Sequence, residues 1–129
     1  MTKLTNYAET KLADYVLRGI AFTVPTTWYV ALHTADPTEA GNVAELTTGT
    51  YPAYARKVVV FGASANGICP NTADLTWDNL TALNLTHCTI WDALTAGNPW
   101  FYGPLTAAKL MGAGDTFRMA AGTLSAGFD

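Results

Sequence analysis

Apolar positions along this chain recur first at helical and then at strand spacing, and the change comes near Gly19. In "TNYAETKLADYVLRG", Ala8, Leu12, Tyr15 and Val16 fall at i, i+4, i+7 and i+8, one stripe of an α-helix. Asn6 followed three residues later by Glu9 has capping-box spacing, and Gly19 suits the left-handed residue that ends a helix. A helix over about 6–18 is therefore expected, capped by Asn6 and lying with its stripe on something apolar. Val24-Pro25 then interrupts helical geometry, because the residue before a proline is pushed to an extended conformation.

From Trp28 the period is two. Trp28, Val30 and Leu32 alternate with Tyr29, Ala31 and His33, and both rows are bulky. One row is expected to meet the core and the other a helix, a loop or a neighbour. Further strands are expected at "YARKVVVF" (Tyr54 to Phe61), "GIC", "LTW", "ALNLTHCTIWDA", "WFYGPL", "AAKLM", "TFRMAA" and "TLSAGF". Turns at "GASANG", "PNTAD", "TAGN" and "GAGD" separate them, the last reading as a hairpin turn. The segment from Ala35 to Pro52 is polar and aperiodic, and long loops of this kind tend to be functional. One leading helix and about eight short strands indicate an all-β fold, a jelly-roll-like β-sandwich, in a single domain over 1–129.

Composition narrows the class of partner. Only 13% of residues are charged, about half the roughly 25% of an ordinary soluble domain, so the surface has little to keep copies apart. The net charge is −3 and the seven basic residues are scattered, Arg56 and Lys57 alone being adjacent, which argues against nucleic-acid binding. The sequence shows neither a signal-peptide pattern nor a membrane-length apolar run, so synthesis in a cytoplasm, without membrane insertion, is expected. The "NLT" sequons at Asn79 and Asn84 then carry no glycan, and Cys69 and Cys88 are expected as free thiols.

One stretch invites a catalytic reading. "THCTIWDALTAGNPWFYGPL" gathers His87, Cys88 and Asp92 beside Trp91, Trp100, Phe101 and Tyr102. Strand parity divides them, however: His87, Thr89 and Trp91 share one face, and Cys88, Ile90 and Asp92 the other. Ser64 in "GASANG" lacks the second glycine and the following helix of a nucleophile elbow. Paired strands could bring His33 and His87 together with Asp36 or Asp92, but no metal-ligand spacing is present, and each histidine is expected to bond a loop carbonyl or a hydroxyl. Asp36, Glu39 and Glu45 read as solvated loop acids, and the four tryptophans as core or interface rather than a sugar-stacking platform. No catalytic residue, metal or cofactor is assigned.

The order of short blocks carries a resemblance. "LTNYAETKLADYVLRG", "TWYVALHTADPTEAG", "YARKVVVFG", "THCTIWDALTAGNPWFYGPL" and "AGDTFRMAAGTLSAGFD" together resemble small virion proteins of tailed bacteriophages, often labelled tail fibre proteins, some of which look like capsid cement or decoration proteins. Gly97-Asn98, Tyr102-Gly103 and Gly114-Asp115 match that family's turn positions, and the chain departs from it at Pro99 and at "SAGFD". The resemblance implies a helix leading into a β-sandwich and no enzymatic activity. The expected role is a decoration protein on the outer capsid surface, bridging subunits of the major capsid protein and associating with copies of itself as a dimer or trimer. A tail fibre or tail-tip component, a carbohydrate-binding module and a small hydrolase are the alternatives. Expected contact residues are Leu4 in the arm 1–4, Asp36, Glu39, Glu45 and Tyr51 in the long loop, and Tyr29 and Tyr54 on an unpaired aromatic face.

Overall fold

The expected helix, α1, spans Asn6–Arg18, but its cap is Thr5 and not Asn6. The Thr5 hydroxyl accepts the Ala8 N–H at 3.3 Å and donates to the Pro99 carbonyl at 2.6 Å. One side chain thus closes the helix and ties it to a distant strand, a combination that Asn6, one position later, is not placed to make. Gly19 ends the helix at φ 66, its N–H reaching the Tyr15 carbonyl while the Ile20 N–H reaches that of Asp14. A computed structural model describes residues 2–128, so Met1 of the expected contact arm lies outside the described residues.

Nine strands accompany α1 among the described residues. They are β1 (Lys3–Leu4), β2 (Trp28–His33), β3 (Lys57–Val59), β4 (Ile68–Pro70), β5 (Leu75–Leu80), β6 (Leu83–Trp91), β7 (Pro99–Met111), β8 (Asp115–Met119) and β9 (Ser125–Gly127). Five form one sheet in the order β1-β7-β6-β2-β3, with every neighbour antiparallel. Facing it are two antiparallel pairs, β5 with β8 and β4 with β9. The chain is therefore an all-β sandwich with a single helix.

The core lies between these layers. Val30 and Leu32 of β2, Cys88 and Ile90 of β6, Trp77 and Leu80 of β5, and Phe117 and Met119 of β8 belong to one buried cluster. Within β6 the inward row changes parity. Leu83 and Leu85 point inward, then Cys88 and Ile90 do, because the register with β7 shifts between Leu85 and His87. Over that shift β7 advances from Pro104 to Lys109 while β6 advances from His87 back to Leu85, so β7 arches out of the ladder.

Three expectations need correction here. "WFYGPL" and "AAKLM" form one strand, β7, since the arch does not end the pairing. "GAGD" is no hairpin turn: β8 pairs with β5, and the Gly114 N–H bonds the Leu80 carbonyl as the chain crosses between layers. The strand expected from Tyr54 to Phe61 is laddered only over Lys57–Val59, because Tyr54 and Arg56 turn their side chains inward to polar partners in the long loop.

Candidate functional site

The segment between β2 and β3 is not a free loop but a third layer over the five-stranded sheet. Its Leu46 is buried, the Leu46 N–H bonds the Leu32 carbonyl at 3.0 Å, and the Thr34 N–H bonds the Ala44 carbonyl at 3.2 Å, so residues 44–46 continue the sheet edge beside β2. Gly41 follows at φ 73, where a Cβ would meet Pro99 Cβ at 2.7 Å and Thr5 Cγ2 at 3.0 Å. Only glycine lets the loop cross so close to the helix cap.

Arg56 locks this layer in place. Its Nε and Nη2 donate to the two carboxylate oxygens of Glu45, each at 2.8 Å, a bidentate pair. Its Nη1 donates to the Ala93 and Ala96 carbonyls of the β6–β7 turn at 2.9 and 2.8 Å. The guanidinium also lies 3.7 Å from the centre of the Trp91 ring. One cation therefore joins the long loop, β3, β6 and the turn. Tyr54 completes the arrangement by donating to Glu45 Oε1 at 3.1 Å and accepting the Leu32 N–H at 3.3 Å, and burial, with Glu45 alongside, pushes its phenol well above the ordinary range.

Beneath the loop, β2 and β6 place His33 directly opposite His87. The Trp91 indole donates to the Thr89 hydroxyl at 2.6 Å, that hydroxyl bonds His33 Nε2 at 2.8 Å, and His33 Nδ1 bonds the Val43 carbonyl at 2.7 Å. The Val43 carbonyl only accepts, so Nδ1 carries a proton; burial disfavours a second proton on the ring, so Nε2 accepts from the Thr89 hydroxyl, which itself accepts from the indole. Burial holds the His33 proton affinity below the ordinary value of 6.5, although the Val43 carbonyl and Glu45 oppose that shift. As the pH falls below 6.5 the unfolded chain takes up a proton that native His33 refuses, so stability present above that value is progressively lost on acidification. Urea midpoints measured across this window are expected to fall in the native chain and to flatten in His33→Asn; parallel slopes would reject the assignment.

The expected contact residues separate into two groups. Asp36 and Glu39 are exposed, with Asp36 Oδ1 accepting the Thr38 N–H at 2.8 Å in a local turn. Tyr29 and Tyr51 are half-buried, Tyr29 standing opposite Trp91 and Tyr51 packing against the core. Leu4 and Glu45 are likewise half-buried, and Tyr54 is buried. Leu4 sits in β1 opposite Phe101 and packs on the core, Tyr54 is buried in it, and Glu45 is held by Arg56. The arm is likewise part of the fold, since Thr2 is buried and bonds the Ser125 carbonyl through its N–H.

The expected parity in the "THCTIW" stretch is what the strand adopts. Cys88 and Ile90 face the interior, while Thr89 and Trp91 face the covering loop. Burial pushes the Cys88 thiol up to about 12, where it is no nucleophile, and the two cysteines are free. Asp92 serves the hairpin: burial alone would raise its pKa, but the Asn98 backbone and side chain and the Trp100 indole all donate to it and hold it low. Ser64 lies on an exposed turn before β4. Among the described residues no three His, Cys, Asp or Glu side chains converge as metal ligands, and no helix is long and apolar enough to cross a membrane. Among the described residues, one cleft of about 340 Å³ lies beside Arg56 between Thr47 and Thr95, and another of about 340 Å³ over Cys88 beneath the β7 arch.

Neither Arg56 nor Thr89 was expected at the centre of the site. A signal existed for Arg56 alone: an arginine inside an otherwise apolar strand pattern is unusual enough to ask what it pairs with.

A family model described as Podophage GP4 fiber I protein gp80 matches residues 3–127. No curated protein matches the chain.

Proposed function

The chain belongs to the family of the podophage GP4 fiber I protein gp80, and from that membership we propose that it serves as a non-enzymatic subunit of a virion fibre. As a member it is a bacteriophage structural protein of the virion. The observation that carries the fibre role is the match itself, which spans the helix and all nine strands to residue 127. The geometry is compatible with a load-bearing part: the long loop is pinned by ion pair and hydrogen bonds instead of being left to move, so the exposed Asp36, Glu39 and neighbouring threonines are presented on a fixed frame.

Its partners would then be other fibre or baseplate components, met through low-charge polar and apolar surface. Decoration of the capsid, bridging major capsid subunits, is the other assignment the family admits. Copy number per particle separates them. Quantitative mass spectrometry of purified virions is expected to give a few copies to a few tens, in step with tail proteins; hundreds, in step with the major capsid protein, would replace the fibre role with a cement role.

A further inference from the structure

The sequence stripe on α1 was expected to lie on apolar surface, yet only its first member, Ala8, is buried. The helix is anchored at its N-terminal half, where Thr5 bonds β7 and the Tyr7 ring stands edge-on to Trp100 at 5.4 Å. Beyond Leu12 it projects from the sandwich. Val16 is 72% and Leu17 81% exposed, and Tyr15, Ile20 and Val24 are exposed as well. Tyr15, Val16 and Leu17 are consecutive, so at 3.6 residues per turn they sweep roughly 200° of the helix. This is apolar surface wrapped around a helix end, not one edge of an amphipathic stripe.

The projection is held in shape. Phe22 folds back against Tyr15, with ring centres 5.9 Å apart, and against Trp100 at 5.5 Å, fixing the segment after Gly19 alongside the helix. A preformed surface loses little entropy when it is covered. Helices draw most of their stability from tertiary packing, and the last turns of α1 receive little from their own sandwich.

We infer that this helix end and the segment through Val24 form a self-association surface, covered by the same surface of a second copy of this chain. Two arguments select that occupant. The exposed apolar side chains amount to on the order of 500 Å² per copy, at the upper end of what a monomer leaves bare, so two copies facing each other bury about 1,000 Å², the area a specific, reversible interface has to reach. Charge agrees: Arg18 and Asp14, which border the patch, already pair with each other at 2.9 Å. A second copy brought up across a two-fold axis therefore meets apolar surface and a neutralised pair, with no unmatched like charge. A lipid headgroup or nucleic acid would call for unpaired cations here, whereas the patch's own cation is paired.

The inference stands on exposure and geometry and not on the fibre role: a monomeric chain would overturn it while leaving virion copy number untouched. The test is sedimentation velocity of the full chain from about 1 to 100 μM, with the double variant Val16→Glu/Leu17→Lys and the control Leu110→Lys. Leu110 is 78% exposed on β7, away from the helix. Native chain and control are expected to associate, and the double variant to raise the dissociation constant at least about 50-fold with unchanged circular dichroism. A native chain that stays monomeric, a double variant that still associates, or a control that disperses equally would each overturn the proposal. Should the double variant misfold, Leu17→Ser alone is read against the same outcomes.

Discussion

Replacing Arg56 with methionine is expected to destabilise the protein by about 3–5 kcal/mol, the usual consequence of removing one partner from a desolvated ion pair. The side chains of Arg56 and Glu45 are only 7% and 19% exposed, so solvent screens this pair little. The loss is larger than a pair alone would give. Methionine fills the aliphatic volume but abandons the Ala93 and Ala96 carbonyls and the face of Trp91, and leaves the Glu45 carboxylate without its cation. Glu45→Gln should be milder, since Gln still accepts from Arg56 and Tyr54 and the arginine keeps both turn carbonyls. Adding Glu45→Gln to Arg56→Met should recover part of the loss, because no buried charge is then stranded. Guanidinium unfolding at pH 7.5 measures all three. An Arg56→Met loss below about 1 kcal/mol would show that the loop holds without it.

Thr89→Val is expected to cost about 2–4 kcal/mol although it changes the side-chain shape hardly at all. Thr89 is fully buried and its hydroxyl is spent in both directions, accepting from Trp91 and donating to His33. Valine leaves an indole N–H and an imidazole nitrogen unpartnered in a place water does not reach. Thr89→Ser keeps the hydroxyl and should cost only about 1 kcal/mol for the lost methyl, which isolates the hydrogen bonds as the cause. If valine and serine lose stability equally, the relay contributes nothing beyond packing.

Much of the architecture was legible because it is local. The helix bounds, the Gly19 stop, the β2 and β6 rows and the Gly97-Asn98 turn all follow from spacing within a dozen residues. The histidines too behave as read, each bonded to a carbonyl or a hydroxyl. What failed depended on distant partners. Thr5 is the cap because of Pro99, Tyr54 turns inward because of Glu45, and "GAGD" crosses layers because Leu80 receives it. No spacing within a segment encodes those meetings. The stripe of α1 shows the limit differently: periodicity tells that a face wants covering, but not where the cover comes from.

The bond from the Thr2 N–H to the Ser125 carbonyl, with β1 lying against β7, has a bearing on how the chain reaches this state. Strand β1 is made early on the ribosome, yet its ladder partner emerges about a hundred residues later, and Ser125 later still. Closing so large a loop carries an entropic cost before any contact offsets it, and antiparallel sheets of this connectivity fold in milliseconds to seconds, not microseconds. During synthesis α1 therefore waits with the Thr5 hydroxyl still lacking its Pro99 carbonyl partner. Its apolar end, meanwhile, is already available to neighbouring nascent chains. Translation speed and local crowding would then govern the yield of assembled particles as much as the stability of the finished sandwich does.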